Sequence, residues 1–186
     1  MRLHTLDCIY NLMDKMEQRY SEAHYLFTVV DSLKPKRILE IGTSQGGTTA
    51  LLAMTGAEVT TVDKVPVIDY AWNELWYKKN FPNTKIIKIE GDSTDSKVIK
   101  QIKGEFDFVW IDGSHQGEVR DDWNNYSKLS KTIGLHDIIN KDDFTSKFWK
   151  ELKEKYNHYE YFTEIETKWG GGWGYGFGGG IGIIKL

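Results

Sequence analysis

The amino-acid sequence predicts an α/β fold, a seven-stranded and mostly parallel sheet with helices on both faces and an antiparallel C-terminal hairpin. Over most of the chain, short apolar runs alternate with longer segments of helical spacing, which is typical of parallel strands joined by helices. Two apolar runs near the C-terminus have no helix between them, which indicates antiparallel pairing. The 186 residues, 40% hydrophobic and 27% charged, suit one packed domain.

The N-terminal part begins with a long helical pattern. Apolar residues at helical spacing predict helix over 7–32, divided into two helices near Ser21. Pro35 ends this segment, because proline cannot continue a helix and disfavours helix at the residue before it. The apolar run 37–42 ends in glycine and is predicted to be the first strand, followed by a helix over 48–54.

The middle of the chain continues the alternation. A β-branched strand is predicted at 58–63, followed by a helix rich in aromatic residues at 70–77. Residues 85–90 alternate lysine with isoleucine, as expected of an edge or half-exposed strand. A short helix is predicted at 96–102, and the mostly apolar run 106–112 predicts a buried central strand.

The C-terminal part carries the exception to the parallel pattern. The chain is predicted to form a charged helix over 116–130, a fifth strand over 132–139 and an amphipathic helix over 143–156. The last two strands are predicted at 159–166 and 180–186.

The whole chain, 1–186, is predicted to be a single domain with a helical lead-in over 1–34 and a glycine-aromatic hairpin loop over 167–182. Nine glycines lie between Gly170 and Gly182, so this loop has little intrinsic backbone order. Its interleaved aromatic side chains either offer stacking faces to a sugar or other flat substrate, or pack back on the sheet.

Composition excludes several classes of protein. The formal charge of −3 and the lack of a basic tract argue against nucleic acid as a partner. A single cysteine, Cys8, excludes an internal disulfide and a cysteine-based zinc cluster. Acidic residues interrupt the N-terminal segment where a signal peptide needs its apolar run, and no stretch is long and apolar enough for a membrane span. A cytoplasmic location is expected.

The first candidate site is the turn after the first strand, Glu40-x-Gly42-x-Ser44-x-Gly46-Gly47. Glycines let a backbone turn tightly and approach a ligand, while the following helix presents unpaired N–H groups. The turn is not a Walker A loop, because no lysine follows at the required spacing. Ser44 stands where a dinucleotide fingerprint has its second glycine. The alternative is a glycine-rich turn that only permits the bend.

Two further sites follow the next two strands. Asp63 lies about 20 residues beyond the glycine turn, where an acid can accept hydrogen bonds from two ribose hydroxyls. The alternative for Asp63 is an ordinary turn carboxylate. Asp92 and Ser93 lie in a turn signal after the third strand, and in a nucleoside pocket they could meet the adenine edge.

The last two sites end neighbouring strands. Asp112-Gly113-Ser114-His115 follows the central strand, and His136-Asp137 follows the next one. Asp112 and Asp137 can therefore face one crevice, where their carboxylates could hold Mg²⁺ or Ca²⁺ and lower the pKa of a substrate hydroxyl. The alternative is hydrogen bonding without an ion. His115 titrates near neutral pH and is either an acid–base residue or a turn histidine.

These motifs, taken in order, resemble those of the class I S-adenosylmethionine-dependent methyltransferases. Within that class the chain is most similar to the small branch that includes cephalosporin hydroxylase-like and macrocin O-methyltransferase-like proteins. The resemblance covers roughly residues 35–140. It implies a Rossmann-like fold with seven strands and an antiparallel last pair.

The resemblance also implies roles for individual residues. It implies that Glu40 and Gly42 lie beside the methionine part of S-adenosylmethionine, that Asp63 holds the ribose and that Asp92 and Ser93 approach the adenine. The full set of residues expected at this site is Glu40, Gly42, Ser44, Gly46, Asp63, Asp92, Ser93 and Asp112. His115 would be the catalytic base beside Asp112, and Asp112 and Asp137 would be Mg²⁺ ligands. Related families follow the second aspartate with another oxygen ligand, whereas here Ile138 follows and His136 precedes, so the third ligand is unidentified.

The function expected is O-methylation of a hydroxyl on a small molecule, with a sugar or glycosylated compound as acceptor. Two alternatives stay open: a module that binds the nucleoside and catalyses nothing, and a nicotinamide-dependent oxidoreductase, which Ser44 disfavours. A homodimer is expected, formed through the N-terminal helices or the helix at 70–77, because so small a chain has little room to enclose a substrate.

Overall fold

The computed structural model describes residues 3–12, 16, 18–65, 79, 83–114, 117–139, 143–162 and 179–186. The described helices are α1 (Leu3–Leu12), α2 (Tyr20–Ser32), α3 (Gly47–Ala53), α4 (Ser96–Ile99), α5 (Glu118–Tyr126) and α6 (Phe144–Lys153). The strands are β1 (Arg37–Ile41), β2 (Glu58–Asp63), β3 (Ile86–Glu90), β4 (Phe108–Ile111), β5 (Thr132–His136), β6 (Asn157–Tyr161) and β7 (Ile181–Lys185).

The strands form one seven-stranded sheet in the order β3-β2-β1-β4-β5-β7-β6. The first five strands are parallel to one another, and β7 lies between β5 and β6 and is antiparallel to both. The predicted fold class, with its antiparallel last pair, is therefore confirmed. The chain reverses its strand order between β1 and β4, which is where open α/β sheets bind ligands.

Strand β4 shows why helices cover both faces of the sheet. All four of its residues are buried, and alternate side chains point to opposite faces. Phe108 and Trp110 pack into the apolar layer beneath α1, α2 and α3, whereas Val109 and Ile111 belong to the layer beneath α4, α5 and α6. The predicted central position of this strand is thus confirmed.

Several element boundaries differ from the prediction. The helix predicted over 96–102 keeps only Ser96–Ile99 as α-helix. The strand predicted over 132–139 stops at His136, because Asp137 takes a left-handed conformation with φ 58° and leaves the extended region. The last hairpin begins two residues earlier than predicted, at Asn157. The predicted helix at 70–77 and most of the loop at 167–182 lie outside the described residues.

The N-terminal break is confirmed, since α2 begins at Tyr20, one residue from the predicted division. No helix in the described part of the chain has the length and apolar character needed to cross a membrane.

Candidate functional site

A pocket of about 530 Å³ opens at the carboxyl edge of the parallel strands. Its size is within the range of roughly 300–1,000 Å³ that is usual for small-molecule sites. The turns that follow β1, β2, β3 and β4 all contribute to its wall, and so does the link between α1 and α2. Of the residues predicted for the site, those that line it are Gly42, Ser44, Asp63, Ser93 and Asp112.

The glycine turn after β1 is shaped by three residues with positive φ, which are Gly42, Ser44 and Gly46. Gly42 has φ 94°, and a Cβ added there would lie 2.0 Å from the carbonyl oxygen of Asp112. A side chain at this position would therefore force apart the turns that follow β1 and β4. Ser44, which stands where a dinucleotide fingerprint has glycine, has φ 46° and so keeps the glycine-like conformation. Gly46 caps α3 and does not line the pocket.

Asp63 binds the glycine turn from the end of β2. Its Oδ2 accepts hydrogen bonds from the backbone N–H groups of Thr43 and Ser44, both at 2.8 Å. Its Oδ1 accepts from the N–H of Val65 at 3.0 Å. The carboxylate therefore shapes the turn as well as lining the pocket, and the lone pairs left on Oδ1 can accept from a ligand.

The turn after β3 contributes residues beside its acid, and not the acid itself, to the pocket wall. Gly91 and Ser93 line the pocket, whereas the Asp92 side chain accepts from the N–H and the hydroxyl of Thr94 at 2.8 and 2.7 Å. Lys64, a pocket-lining residue, pairs with Asp92 at 3.1 Å. The Thr94 donors and the Lys64 ammonium lower the pKa of Asp92 to about 2.

Glu40 lies beneath the pocket and is completely buried in β1. Its Oε2 accepts a hydrogen bond from the hydroxyl of Thr49 at 2.5 Å. Burial raises the pKa of Glu40 to about 8, and the nearby carboxylates of Asp112 and Asp63 add to the rise, which the Thr49 and Thr61 hydroxyls only partly offset. At neutral pH Glu40 is therefore mainly a neutral acid.

A cluster of charged side chains lies at the ends of β4 and β5. His136 is 5% exposed, and its Nδ1 lies 3.2 Å from Asp112 Oδ1 and 3.4 Å from Asp137 Oδ2. Its Nε2 lies 3.6 Å from Glu22 Oε2, an ion-pair distance. Burial lowers the pKa of His136, but the three carboxylates outweigh it and raise that pKa well above the usual 6.5. The imidazole is therefore a cation among three acids.

The other oxygens of these acids are bound by donors of the protein. Asp112 Oδ2 accepts from the amide Nε2 of Gln18 at 2.5 Å. Asp137 Oδ1 accepts from the backbone N–H of Gly179 at 2.9 Å. Glu22 accepts from the N–H groups of Gly180 and Arg19 at 2.7 and 2.9 Å. These hydrogen bonds and His136 outweigh burial and lower the pKa of Glu22.

This cluster decides how well a divalent ion fits the site. One ligating atom from each of Asp112, His136 and Asp137 lies within 4.8 Å of the other two, close enough to share an ion. Mg²⁺ prefers oxygen ligands, however, and one of these three donors is an imidazole nitrogen. Each carboxylate oxygen of the two aspartates already faces a protein donor. The donor set as arranged fits an internal ion pair and does not fit Mg²⁺.

The predicted base, His115, lies outside the described residues. The residue before it, Ser114, lines the pocket and donates a hydrogen bond from its hydroxyl to Glu118 Oε2 at 2.6 Å.

Sequence reasoning missed Gln18, Glu22 and Asp122. The first two gave no signal, because their partners are remote in the sequence. Asp122 could have been found: with Val119, Trp123 and Tyr126 it forms the buried face of α5 at helical spacing. Burial raises the pKa of Asp122 to about 6, although the Ser93 hydroxyl opposes the rise.

The sheet order and the pocket at its carboxyl edge are those of the class I methyltransferases that the sequence resembles. A model of one family of such enzymes, described as rhamnosyl O-methyltransferase/CmcI, matches residues 14–132. The chain belongs to this family and is a methyltransferase. No curated protein is a significant match to the sequence.

Solved structures share the fold at low sequence identity. An O-methyltransferase from Bacillus cereus in complex with SAH is 19% identical, with a TM-score of 0.69 over 100% of this chain and 92% of that one. The O-methyltransferase TomG from Streptomyces achromogenes, in complex with SAM, is 13% identical, with a TM-score of 0.66 over 100% and 91%. The SAH-bound methyltransferase PaMTH1 from Podospora anserina is 18% identical, with a TM-score of 0.63 over 100% and 88%.

Replacing Glu40 by glutamine tests whether this acid is neutral. Because its pKa is about 8 in the folded protein and near 4.3 in an unfolded chain, its contribution to stability is full below about pH 4 and is lost as the pH rises through 8. The free energies of unfolding of E40Q and of the wild type are compared by urea denaturation at two pH values, 5.5 and 8.5. We expect the difference, E40Q minus wild type, to be about 2–3 kcal/mol larger at pH 8.5 than at pH 5.5.

Glu58→Gln is the matched control for this measurement. Hydrogen bonding and pairing with Lys85 and Arg37 lower the pKa of Glu58, so it is ionised at both pH values and its variant should show no such gain. A constant difference between E40Q and wild type at both pH values would mean that Glu40 is charged throughout.

Proposed function

We propose that this methyltransferase transfers the methyl group of S-adenosylmethionine to a hydroxyl of a sugar or glycosylated small molecule. The observation that carries the proposal is the pocket formed where β1, β2 and β4 end, with the Asp63-bound glycine turn on one side and Asp112 on the other. The family to which the chain belongs and the S-adenosyl compounds bound by structures of the same fold support the choice of methyl donor.

We assign the donor's parts to the turns around the pocket. The methionine part lies along the glycine turn, near Gly42 and Ser44, with Gly46 capping the helix behind it. The ribose hydroxyls bond to the free lone pairs of Asp63. Ser93 lies at the adenine end, where Asp92 acts by holding Lys64. Glu40 contributes from below, as a neutral acid under the turn.

The charge of the pocket suits a cationic ligand. Among the described residues, the carboxylates of Asp63, Asp112 and Glu118 line it, together with one ammonium group, that of Lys64. That ammonium is paired with Asp92 at 3.1 Å and lies 4.0 Å from Glu118. An excess of negative charge stabilises a sulfonium ion relative to a neutral thioether.

When bound, the donor supplies an electrophilic methyl carbon, which the acceptor oxygen attacks in line while sulfur leaves with the electron pair of the broken bond. The protein positions the two reactants, and positioning supplies much of the rate. His115 is proposed to take the proton of the acceptor hydroxyl, since Ser114, its neighbour, faces the pocket. Asp112 is proposed to act beside it as a catalytic group.

The family description favours a sugar acceptor, because it names rhamnosyl O-methyltransferases. The aromatic side chains interleaved with glycines at 167–182 would provide the stacking faces.

The homodimer expected from the small size of the chain remains a prediction.

No step of this mechanism passes through a metal. Mg²⁺ at Asp112 and Asp137 remains a prediction from the resemblance, and the geometry of the described residues argues against it. His136 supplies the positive charge that those two carboxylates would otherwise take from an ion.

Calorimetry with S-adenosylhomocysteine tests the pocket. We expect Asp63→Ala to weaken binding at least about tenfold, because it removes the acceptor that shapes the glycine turn and the proposed ribose partner. Asp107→Ala is the matched control. Asp107 Oδ2 also accepts two successive backbone N–H groups, those of Lys36 and Arg37, but at the opposite end of β1. Equal losses in both variants, or no binding by the wild type, would contradict the assignment.

Turnover is tested with methyl-labelled S-adenosylmethionine and a panel of rhamnosides, other glycosides and non-sugar alcohols. We expect a sugar hydroxyl to gain the label, detected by mass spectrometry. His115→Ala and Asp112→Asn should each keep affinity for S-adenosylhomocysteine and lose turnover about 100-fold or more. Label transfer only to non-sugar hydroxyls would refute the acceptor class, and a co-purifying nicotinamide nucleotide would refute the methyl donor.

Metal dependence is tested by titrating metal-free protein, saturated with S-adenosylhomocysteine, with magnesium chloride. We expect no saturable heat, because one of the three grouped donors is an imidazole nitrogen and an ion would have to compete with His136, Gln18 and Gly179 for the two carboxylates. A saturable signal that disappears in Asp137→Asn would establish the magnesium site and overturn the internal ion pair.

A further inference from the structure

Gln18 joins three parts of the pocket, and nothing in the mechanism above gives it a role. It lies in the link between α1 and α2, is 3% exposed and lines the pocket. Its partners are Thr48, in the first turn of α3, and Asp112, at the end of β4. A single side chain thus ties the N-terminal segment to both walls of the pocket.

Both ends of the Gln18 amide are used. Its Oε1 accepts from the Thr48 hydroxyl at 2.7 Å, and its Nε2 donates to Asp112 Oδ2 at 2.5 Å. The Asp112 carboxylate can only accept, so it selects the Nε2 end of the amide, and the Thr48 hydroxyl holds the other end by donating to Oε1. A glutamate at 18 would bring a second carboxylate against Asp112, and a hydrocarbon side chain would leave that buried contact unmade.

The contact with Gln18 fixes the orientation of Asp112. On the other side, Asp112 Oδ1 faces His136 Nδ1 at 3.2 Å. The carboxylate is therefore held between the buried His136 imidazole and an amide donor at the pocket. A hydrogen bond to a charged acceptor is stronger than one between neutral groups, so the loss of Gln18 would free the carboxylate to turn.

We propose that Gln18 is a positioning residue for methyl transfer, which holds the Asp112 carboxylate toward the charged sulfur of S-adenosylmethionine. This inference rests on the proposed function, which assigns Asp112 to the donor. The consequence is a preference between two ligands of nearly the same shape. S-adenosylmethionine carries a positive sulfonium, whereas S-adenosylhomocysteine is a neutral thioether, so only the former is stabilised by a correctly turned carboxylate.

The test compares the two ligands by calorimetry in Gln18→Met, which keeps the length of the side chain and removes both polar atoms of its amide. We expect affinity for S-adenosylmethionine to fall about tenfold and affinity for S-adenosylhomocysteine to fall less than about threefold. Thr48→Val, which leaves Gln18 in place but removes the hydroxyl that donates to its Oε1, should shift the ratio in the same direction by a smaller factor. Gln101→Met, on an exposed residue remote from the pocket, is the matched control.

A double-mutant cycle separates positioning from general packing. In an Asp112→Asn background, Gln18→Met should not change the ratio of the two affinities further, because the carboxylate that it positions is gone. Thermal unfolding of each variant shows whether it is folded. Equal losses for both ligands, or an unchanged ratio in both Gln18→Met and Thr48→Val, would overturn the proposal.

The failure of this inference is distinguishable from failure of the proposed function. If the wild type binds neither ligand, the assignment of the pocket is wrong. If it binds both and Gln18→Met leaves their ratio unchanged, the pocket is correct and only the role of Gln18 is wrong.

Discussion

The contact between the Asp63 carboxylate and the glycine turn is the interaction on which the pocket depends. Parallel strands end at one edge of a sheet, but their ends alone do not make a cavity. Asp63 binds two successive N–H groups of the turn after β1, and Gly42 lets the same turn approach the backbone of Asp112. The ends of β1, β2 and β4 are thereby held in one arrangement, which leaves open space between them.

The acids near the pocket are stabilised in two different ways. Glu40, fully buried, is neutral at pH 7 because its pKa is about 8. Asp112, Asp137 and Glu22 are instead paired with the buried cation of His136. Burying an unpaired carboxylate destabilises the fold, because the charge loses its hydration. The attraction within a buried charge pair offsets this loss only when the remaining lone pairs also accept hydrogen bonds. The donors Gln18, Gly179, Gly180 and Arg19 meet that condition, which is why a cluster of three acids is compatible with a stable fold.

Much of this arrangement could be predicted from local sequence. Strand periodicity predicts the sheet, and the glycine turn and Asp63 lie in the wall of one pocket because residues that end parallel strands meet at one edge. The behaviour of Asp92 was harder to predict, since its side chain bonds to Thr94 and Lys64 rather than lining the pocket. That outcome depends on competition between nearby donors, which residue spacing does not reveal.

The N-terminal lead-in supplies residues of the site that cannot be predicted from the motifs at the strand ends. It precedes the first strand and carries no motif, yet its Gln18 contacts Asp112, 94 residues away, and Glu22 pairs with His136. Helical spacing predicts which side chains of this segment are apolar and buried, but not which polar ones are buried with them. Gln18 and Glu22 are nearly inaccessible to solvent, and a buried polar group needs a partner in the tertiary structure. The match to the family begins at residue 14 and so includes both. The lead-in is therefore part of the site, because it supplies one donor and one acid to the charged cluster that the strand ends cannot provide.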